Sequence, residues 1–68
     1  MANKSAYYVV WIKSGNILTC SFFHGVKNRS DLPEDVYSLI GCDTFGEAMD
    51  QYRADYALFS LNRLHICI

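Results

Sequence analysis

The chain has 68 residues, of which 51% are hydrophobic, 15% aromatic and 19% charged, and its formal net charge is −1. The length allows one domain, and a domain of this size buries only about 60% of the surface of its unfolded chain. The net charge argues against a protein that depends on the phosphate backbone of a nucleic acid, because such proteins carry a basic surplus. We therefore expect residues 1–68 to form a single domain with aromatic side chains left at its surface, where an apolar patch usually marks an interface.

Residues 6–13 and 17–23 are predicted to form a β-hairpin. The first segment is apolar on both faces from Ala6 to Ile12, which is typical of a strand that is covered on both sides or awaits a partner. The residues between the segments, Ser14 to Asn16, favour a tight turn because Gly and Asn tolerate positive φ angles. We expect the first strand to be central and the second, which has one partly polar face, to lie nearer an edge.

The length of the hairpin loop decides which side chains face the core, and the sequence is compatible with two registers. A two-residue loop places on one face Tyr7, Val9, Trp11, Leu18, Cys20 and Phe22. A three-residue loop places on that face Tyr8, Val10, Ile12, Leu18, Cys20 and Phe22. The sequence therefore leaves open which residues of the first strand face away from the core.

Residues 24–35 are the most polar stretch of the chain and are predicted to form a loop. This loop should end in one helical turn or β-turn near Pro33, capped by Asp31, because a carboxylate at that point can accept free backbone N–H groups. Residues 36–40 are predicted to form a short third strand closed by Gly41. The alternative is a short helix that continues from Pro33.

Residues 44–59 are predicted to form an amphipathic helix. Thr44 and Glu47 match a capping box, in which the Thr hydroxyl accepts the amide three residues on and the Glu reaches back to the Thr amide. Asp43 is the alternative cap. Apolar residues recur every three or four positions, and the predicted buried face consists of Phe45, Ala48, Met49, Tyr52, Tyr56 and Phe59. The charged residues of the helix, including Asp55, are expected in solvent.

Asn62 is a predicted helix stop, and residues 64–68 alternate as a final strand does. Together the elements predict an α+β fold in the order β-β-(β)-α-β. It is a small two-layer domain in which one amphipathic helix covers one face of an antiparallel sheet of three or four strands. The other face has no predicted cover. Self-association is the simplest way to bury it, so we expect a homodimer formed through that face or through the edge near Ile68.

The chain has three cysteines, Cys20, Cys42 and Cys67, and no C-x-x-C pair, which argues against a disulfide framework. Cys20, His24, His65 and Cys67 could supply four zinc ligands, but they lack the spacing of structural zinc sites. We expect three buried free thiols, no metal, no cofactor and no enzymatic activity. The N-terminal residues lack the apolar core of a signal peptide, and no segment has the roughly 20 apolar residues of a membrane span. We therefore expect a cytoplasmic protein without membrane contact.

The candidate binding residues are large side chains of the hairpin and a small basic cluster in the loop after it. They are Tyr7, Tyr8, Val10, Trp11, Phe23, Lys27 and Arg29. Aromatic residues are concentrated at protein interfaces, so we expect a protein-binding module that inhibits or modulates a larger host or mobile-element complex. The alternative is a nucleic-acid-binding module, antitoxin-like or RNA-binding, whose aromatic sheet face stacks bases.

Residues 31–48 resemble part of the HicB-type antitoxins. Asp31-Leu32-Pro33 followed by Gly41-Cys42 is similar to the family's Asp-Leu-Pro-Gly-Cys element, and Thr44 with Glu47-Ala48 is similar to its Thr-x-x-Glu-Ala element. Residues 34–40 separate Pro33 from Gly41 in this chain, and Asp43 precedes Thr44 where the family has a glycine. The resemblance implies a β-β-β-α-β domain that neutralises an RNase toxin.

Overall fold

The computed structural model describes residues 6–67 and has the predicted α+β fold. Its strands are β1 (Tyr7–Ser14), β2 (Ile17–His24), β3 (Ser38–Cys42) and β4 (His65–Cys67), and its α-helix is α1 (Phe45–Leu61). The strands form one sheet in the order β3-β1-β2-β4. The predicted order of elements is confirmed, including the third strand, and α1 extends slightly beyond its predicted end.

The sheet is mixed rather than entirely antiparallel. β1 runs antiparallel to β2 and to β3, whereas β4 runs parallel to β2. The connection from β3 through α1 requires this direction, because a helical crossover joins parallel strands. β1 is internal, as its two apolar faces predict. β4 pairs with β2 only at residues 17–19, so residues 20–24 of β2 lie at the edge of the described sheet, in partial agreement with the prediction for this strand. The predicted extension of the last strand to Ile68 lies outside the described residues.

The hairpin between β1 and β2 adopts the register of a two-residue loop. Ser14 pairs with Ile17, so Gly15 and Asn16 alone form the turn. Gly15 has a φ angle of 64°, in the left-handed region that a tight hairpin turn requires and that glycine occupies at low cost. The side of the sheet that faces α1 therefore carries Tyr7, Val9 and Trp11, and the opposite face carries Tyr8, Val10 and Ile12.

Helix α1 begins and ends with capping interactions that the sequence predicts in part. The hydroxyl of Thr44 accepts a hydrogen bond from the backbone N–H of Glu47 at 3.1 Å, which confirms Thr44 rather than Asp43 as the N-cap. The Glu47 carboxylate accepts from the Thr44 hydroxyl at 3.3 Å and not from its backbone amide. Asn62 is the C-cap, and Arg63 has a φ angle of 60°, as in helix ends closed by a left-handed residue.

The buried face of α1 differs from the predicted one. Its buried residues are Ala48, Asp55 and Phe59. Phe45 faces the sheet as predicted, with its ring 5.7 Å from that of Tyr7, but 52% of its surface is exposed. Tyr56 is 42% exposed and Asp55 is buried, so the predicted positions of these two residues are wrong. The physical reason is the buried indole of Trp11, whose N–H needs an acceptor and donates to the Asp55 carboxylate at 3.1 Å.

The helix-side core lies between α1 and the sheet. Its buried members are Val9, Trp11, Leu18, Cys42, Ala48 and Phe59. Trp11 is the largest fully buried side chain, and its ring packs edge-on against Phe59 with the ring centres 5.1 Å apart. Large aromatic side chains dominate the energetics of a core, so this pair anchors α1 to the sheet.

The connection from β2 to β3, residues 25–37, crosses the face of the sheet opposite α1, and we call it the crossover loop. It carries the chain across β1 in one direction, and α1 later carries the chain back. Parallel strands are almost always joined by right-handed crossovers, and two such crossovers in opposite directions lie on opposite faces. In agreement, Leu32 of the loop is 5% exposed and Val10 of β1 is fully buried, although neither belongs to the helix-side core.

The crossover loop covers much of the face that the sequence predicts to be bare. Val26 and Leu32 of the loop line one hollow together with Tyr8 of β1 and Leu39 of β3. The expectation that nothing in the chain covers this face is therefore wrong. The polarity of residues 24–35 is typical of a surface loop. However, β2 and β3 are parallel with β1 between them, so the connection between these two strands has to cross β1.

A single 3-10 turn at Arg29–Asp31 gives the crossover loop its shape. The Asp31 carboxylate accepts the backbone N–H groups of Lys27 and Asn28 at 3.1 Å each. The turn precedes Pro33 instead of forming at it. No helix follows Pro33 before α1 in this part of the described chain, so the alternative of a short helix there is wrong. β3 begins at Ser38 rather than at residue 36 and contains Gly41 instead of ending before it.

Candidate functional site

The residues predicted for binding are divided between the two faces of the sheet. Val10 and Trp11 have no exposed surface. Neither can contribute to an accessible surface of the folded chain, which corrects the prediction for both. Tyr7 is half-buried on the helix side, where its ring stacks on that of His24 with the centres 4.6 Å apart.

Tyr8, Lys27 and Arg29 are the predicted binding residues that the structure brings together. They line a hollow of about 160 Å³ between the crossover loop and the sheet. The Arg29 guanidinium donates to the carbonyl of Pro33 at 3.2 Å, which ties this side chain to the loop. Phe23 is half-buried on the same face and pairs with Tyr8 across β1 and β2.

A larger aromatic surface, the aromatic flank, runs along the side of α1 that faces β2. Its members are Phe22, Phe45, Tyr52 and Tyr56. Their rings form a continuous series, with centres 5.8 Å apart for Phe22 and Phe45, 6.0 Å apart for Phe22 and Tyr52, and 5.9 Å apart for Tyr52 and Tyr56. Each pair has the edge-to-face arrangement that aromatic rings favour.

The spacing of Phe45, Tyr52 and Tyr56 places them on one side of α1, next to the stripe that is buried against the sheet. Because the smaller Ala48 and the hydrogen-bonded Asp55 occupy that stripe, the rings beside it are only partly covered. This surface was not predicted, because Phe45, Tyr52 and Tyr56 were all expected on the buried face of α1. Only the composition indicates such a surface, because a small domain with 15% aromatic residues is expected to leave some of them exposed.

Contacts with the core hold the aromatic flank in place at Tyr52. The ring of Tyr52 stacks on that of Trp11 with centres 5.8 Å apart and planes 8° apart. Trp11 Nε1 donates to Asp55 Oδ2 at 3.1 Å, and Gln51 Nε2 donates to Asp55 Oδ1 at 2.8 Å. These contacts hold Tyr52 from the core side, and side chains that are already held in place lose less conformational entropy when a partner binds.

The aromatic flank and its surroundings on β2 are uncharged at neutral pH. Burial raises the pKa of Tyr52, and the neighbouring Tyr56 raises it further. Cys20 lies on the same face of β2 as Phe22, and burial, followed by the charge of Asp55, raises the pKa of its thiol to about 11. Both groups therefore stay protonated. Arg53 lines a shallow hollow with Tyr52 and Tyr56 on the outer side of α1.

The side chains considered as zinc ligands do not come together. Cys20 packs against the helix-side core, whereas His65 and Cys67 flank Ile66, which packs there too. Alternation along a strand therefore turns His65 and Cys67 to the opposite face. Within residues 6–67, no group of three or more His, Cys, Asp or Glu side chains is arranged to hold a metal ion. Cys67 is exposed, which corrects the prediction that all three thiols are buried.

Comparisons with known proteins identify no family for this chain. The chain matches no protein-family model, and no characterised protein or solved structure is significantly similar to it. The resemblance of residues 31–48 to HicB-type antitoxins is therefore one of short motifs alone. Among residues 6–67, no helix combines the length and the apolar character needed to cross a membrane.

Proposed function

We propose that this chain is a protein-binding module without enzymatic activity, and that the aromatic flank is its contact surface. The observation that carries the proposal is the exposure of Phe45 and Tyr56, at 52% and 42%, beside the half-buried rings of Phe22 and Tyr52. Aromatic residues are enriched at protein interfaces, and a few of them supply much of the binding energy. Contiguous rings of this kind mark an interface more strongly than scattered apolar residues do.

The partner that fits the aromatic flank is a protein with an apolar contact surface. The rings of the flank are uncharged, and Arg53 adds a cation on its outer side. A nucleic acid bound here would need several cations along its backbone. We further propose that the protein acts in the cytoplasm, where free cysteines such as Cys20, Cys42 and Cys67 stay reduced, and that it inhibits or modulates a larger complex.

The test compares three forms of the full chain as bait in a lysate of its native host. The first form is the wild type, the second carries Phe45→Ser and Tyr56→Ser, and the third carries Leu58→Ser and Leu61→Ser. Leu58 and Leu61 are exposed at 55% and 82%, but helix geometry places them away from the aromatic flank. The third form therefore controls for the loss of exposed apolar surface. Circular dichroism establishes that all three forms are folded.

We expect a set of proteins that the wild type and the Leu58/Leu61 variant capture and that the Phe45/Tyr56 variant does not. These proteins should stay bound after nuclease treatment. Retention of the same proteins by the folded Phe45/Tyr56 variant would contradict the proposal. Loss of the captured set on nuclease treatment would also contradict it, because this result identifies a nucleic acid as the ligand.

A second candidate function is nucleic-acid binding at the hollow under the crossover loop. The observation that favours it is the grouping of Tyr8, Lys27 and Arg29 around one hollow, since aromatic rings stack on bases and cations track the phosphates. Replacing Lys27 and Arg29 with Ala should weaken the binding of a fluorescent single-stranded oligonucleotide, and the affinity should fall as salt rises. Absent or salt-independent binding would eliminate this candidate.

A further inference from the structure

We propose that β3 pairs antiparallel with β3 of a second copy of the chain, so that the two sheets join and Lys13 of each copy meets an acidic hollow of the other. The proposal does not depend on which partner binds the aromatic flank. It rests on three features of the β3 edge, namely its unprotected backbone, its half-covered side chains and the opposite charges at its two ends.

β3 lacks two of the features that commonly keep an edge strand from pairing. Its residues, Ser38–Cys42, include no charged residue and no proline, and these are common means of blocking an edge. β4, at the other edge of the described sheet, spans only His65–Cys67. Residues 20–24 of β2 are also unpaired on their outer side within the described sheet, so β3 is distinguished by its side chains and by the charges at its ends.

The side chains at the centre of β3 are only half covered on both faces of the sheet. Ile40 packs against the helix-side core, and Leu39 lines the hollow under the crossover loop. Both remain partly exposed at the edge. A strand paired with β3 would set its own side chains beside them, which extends the apolar packing on each face.

The two ends of β3 carry opposite charges. At the start of the strand, the Lys13 ammonium lies over the ring of Tyr37, 5.6 Å from its centre. At the end of the strand, Asp43, Glu47 and Asp50 line a hollow of about 410 Å³ beside β3. The edge is therefore basic at one end and acidic at the other.

Antiparallel pairing about a two-fold axis brings the opposite charges together. When Ile40 pairs with Ile40 of the second copy, Tyr37 lies opposite Asp43, so Lys13 approaches the acidic hollow at both ends of the joined strands. Parallel pairing instead brings the two acidic ends of β3 next to each other and leaves Lys13 far from both hollows, and like charges at an interface are costly. Charge complementarity thus selects a second copy as the occupant. The aromatic flank lies on the β2 side of α1 and stays accessible in this dimer.

Sedimentation velocity of the full chain, from micromolar to submillimolar concentration, tests the proposal with matched charge variants. The variants are Lys13→Glu, Asp43→Lys, the combination of both, and Arg63→Glu as a control with the same charge change at an exposed residue next to β4, at the opposite edge of the described sheet. We expect a wild-type dimer that each single change at the β3 edge weakens by about tenfold or more, because like charges then meet twice per dimer. The combined variant should associate more tightly than either single variant but less tightly than the wild type, because the exchanged charges attract again while Glu47 and Asp50 stay acidic, and Arg63→Glu should leave dimerisation unchanged.

Amide hydrogen exchange gives a second readout that does not depend on charge. Exchange at residues 38–42 should slow as the concentration rises and the dimer forms. A monodisperse monomer over the whole concentration range would overturn the proposal. A dimer without slower exchange at β3, or a combined variant that associates no more tightly than the single variants, would overturn it as well.

Discussion

At the scale of the single residue, the hydrogen bond between Trp11 and Asp55 accounts for the rotation of α1 about its axis. Asp55 is 6% exposed and accepts hydrogen bonds from Trp11 and Gln51. Within the described residues, no buried side-chain nitrogen or oxygen lacks a hydrogen-bond partner. Because an unpaired indole N–H in the core is costly, the orientation that brings Asp55 over Trp11 is favoured, and it leaves Tyr56 at the surface.

Asp55→Ala should lower the free energy of unfolding by about 1–3 kcal/mol, because it leaves the buried Trp11 N–H without an acceptor. In a Trp11→Phe background the same substitution should cost less, since no donor then remains to be satisfied. Urea denaturation followed by circular dichroism measures the four forms of this double-mutant cycle. Equal costs in the two backgrounds would show that the hydrogen bond does not stabilise the fold.

The three thiols should react in the order of their exposure. Cys67 is exposed, whereas Cys20 is half-buried and Cys42 buried, and burial raises the pKa of Cys20 and of Cys42. Alkylation requires the thiolate, so iodoacetamide should modify Cys67 first in the folded protein and all three thiols after unfolding. Mass spectrometry of the peptides reads the order, and Cys67→Ser should abolish the fast phase. Modification of Cys20 as rapid as that of Cys67 would contradict the structure.

The role of Asp55 could not be predicted from the sequence. An aspartate on a helix is usually solvated, and the donor that buries this one lies 44 residues away in the chain. The burial of the candidate binding residues also depends on contacts that are distant in the sequence. The sequence places Trp11 and Val10 on opposite faces of one strand, but only the packing of α1 on one face and of the crossover loop on the other shows that both are buried.

At the scale of the element, the N-cap of α1 is the sharpest sequence-based expectation that the structure confirms. Thr44→Ala should lower the free energy of unfolding by about 1 kcal/mol, because the backbone N–H of Glu47 loses its acceptor. Asp43→Ala is the matched control one residue earlier and should have a much smaller effect. Thermal unfolding compares the two, and an equal or larger loss from Asp43→Ala would mean that Thr44 is not the cap.

Elements with local signals were predictable, and elements defined by pairing were less so. The hairpin follows from Gly15 and Asn16, and α1 follows from its apolar spacing and the Thr44 cap. The bounds of β3 depend on where the chain meets β1, for example where Ser38 pairs with Trp11, and no local signal marks that point. The direction of β4 likewise depends on its distant partner β2. The aromatic flank depends on how α1 sits over β2 and was not predictable from spacing alone.

At the scale of the whole molecule, the crossover loop should contribute substantially to stability. Leu32→Ala should lower the free energy of unfolding by about 2–5 kcal/mol, because Leu32 is buried and lines the hollow between the loop and the sheet. Leu61→Ala is the control, since Leu61 is 82% exposed and its change should stay within about 0.5 kcal/mol. Urea denaturation measures both. A Leu32→Ala variant as stable as the wild type would mean that the loop does not cover this face.

The cover of this face was foreseeable from topology but not from composition. Residues 24–35 are mostly polar, which is typical of a surface loop, and their few apolar members give no periodic signal. Only the parallel arrangement of β2 and β3, with β1 between them, shows that the chain has to cross the sheet on the face opposite α1. The polarity of the loop therefore gave no indication that it covers the face of the sheet opposite α1.

If the partner binds at the aromatic flank, substitutions there should raise the dissociation constant of a purified captured partner. Titration calorimetry should show binding at least about tenfold weaker for the Phe45→Ser/Tyr56→Ser variant than for the wild type, because removing aromatic side chains from the centre of an interface costs about 2 kcal/mol or more. The Leu58→Ser/Leu61→Ser variant should stay within about threefold of the wild type, as expected for residues outside a contact. Equal dissociation constants for the folded Phe45/Tyr56 variant and the wild type would contradict binding at the aromatic flank.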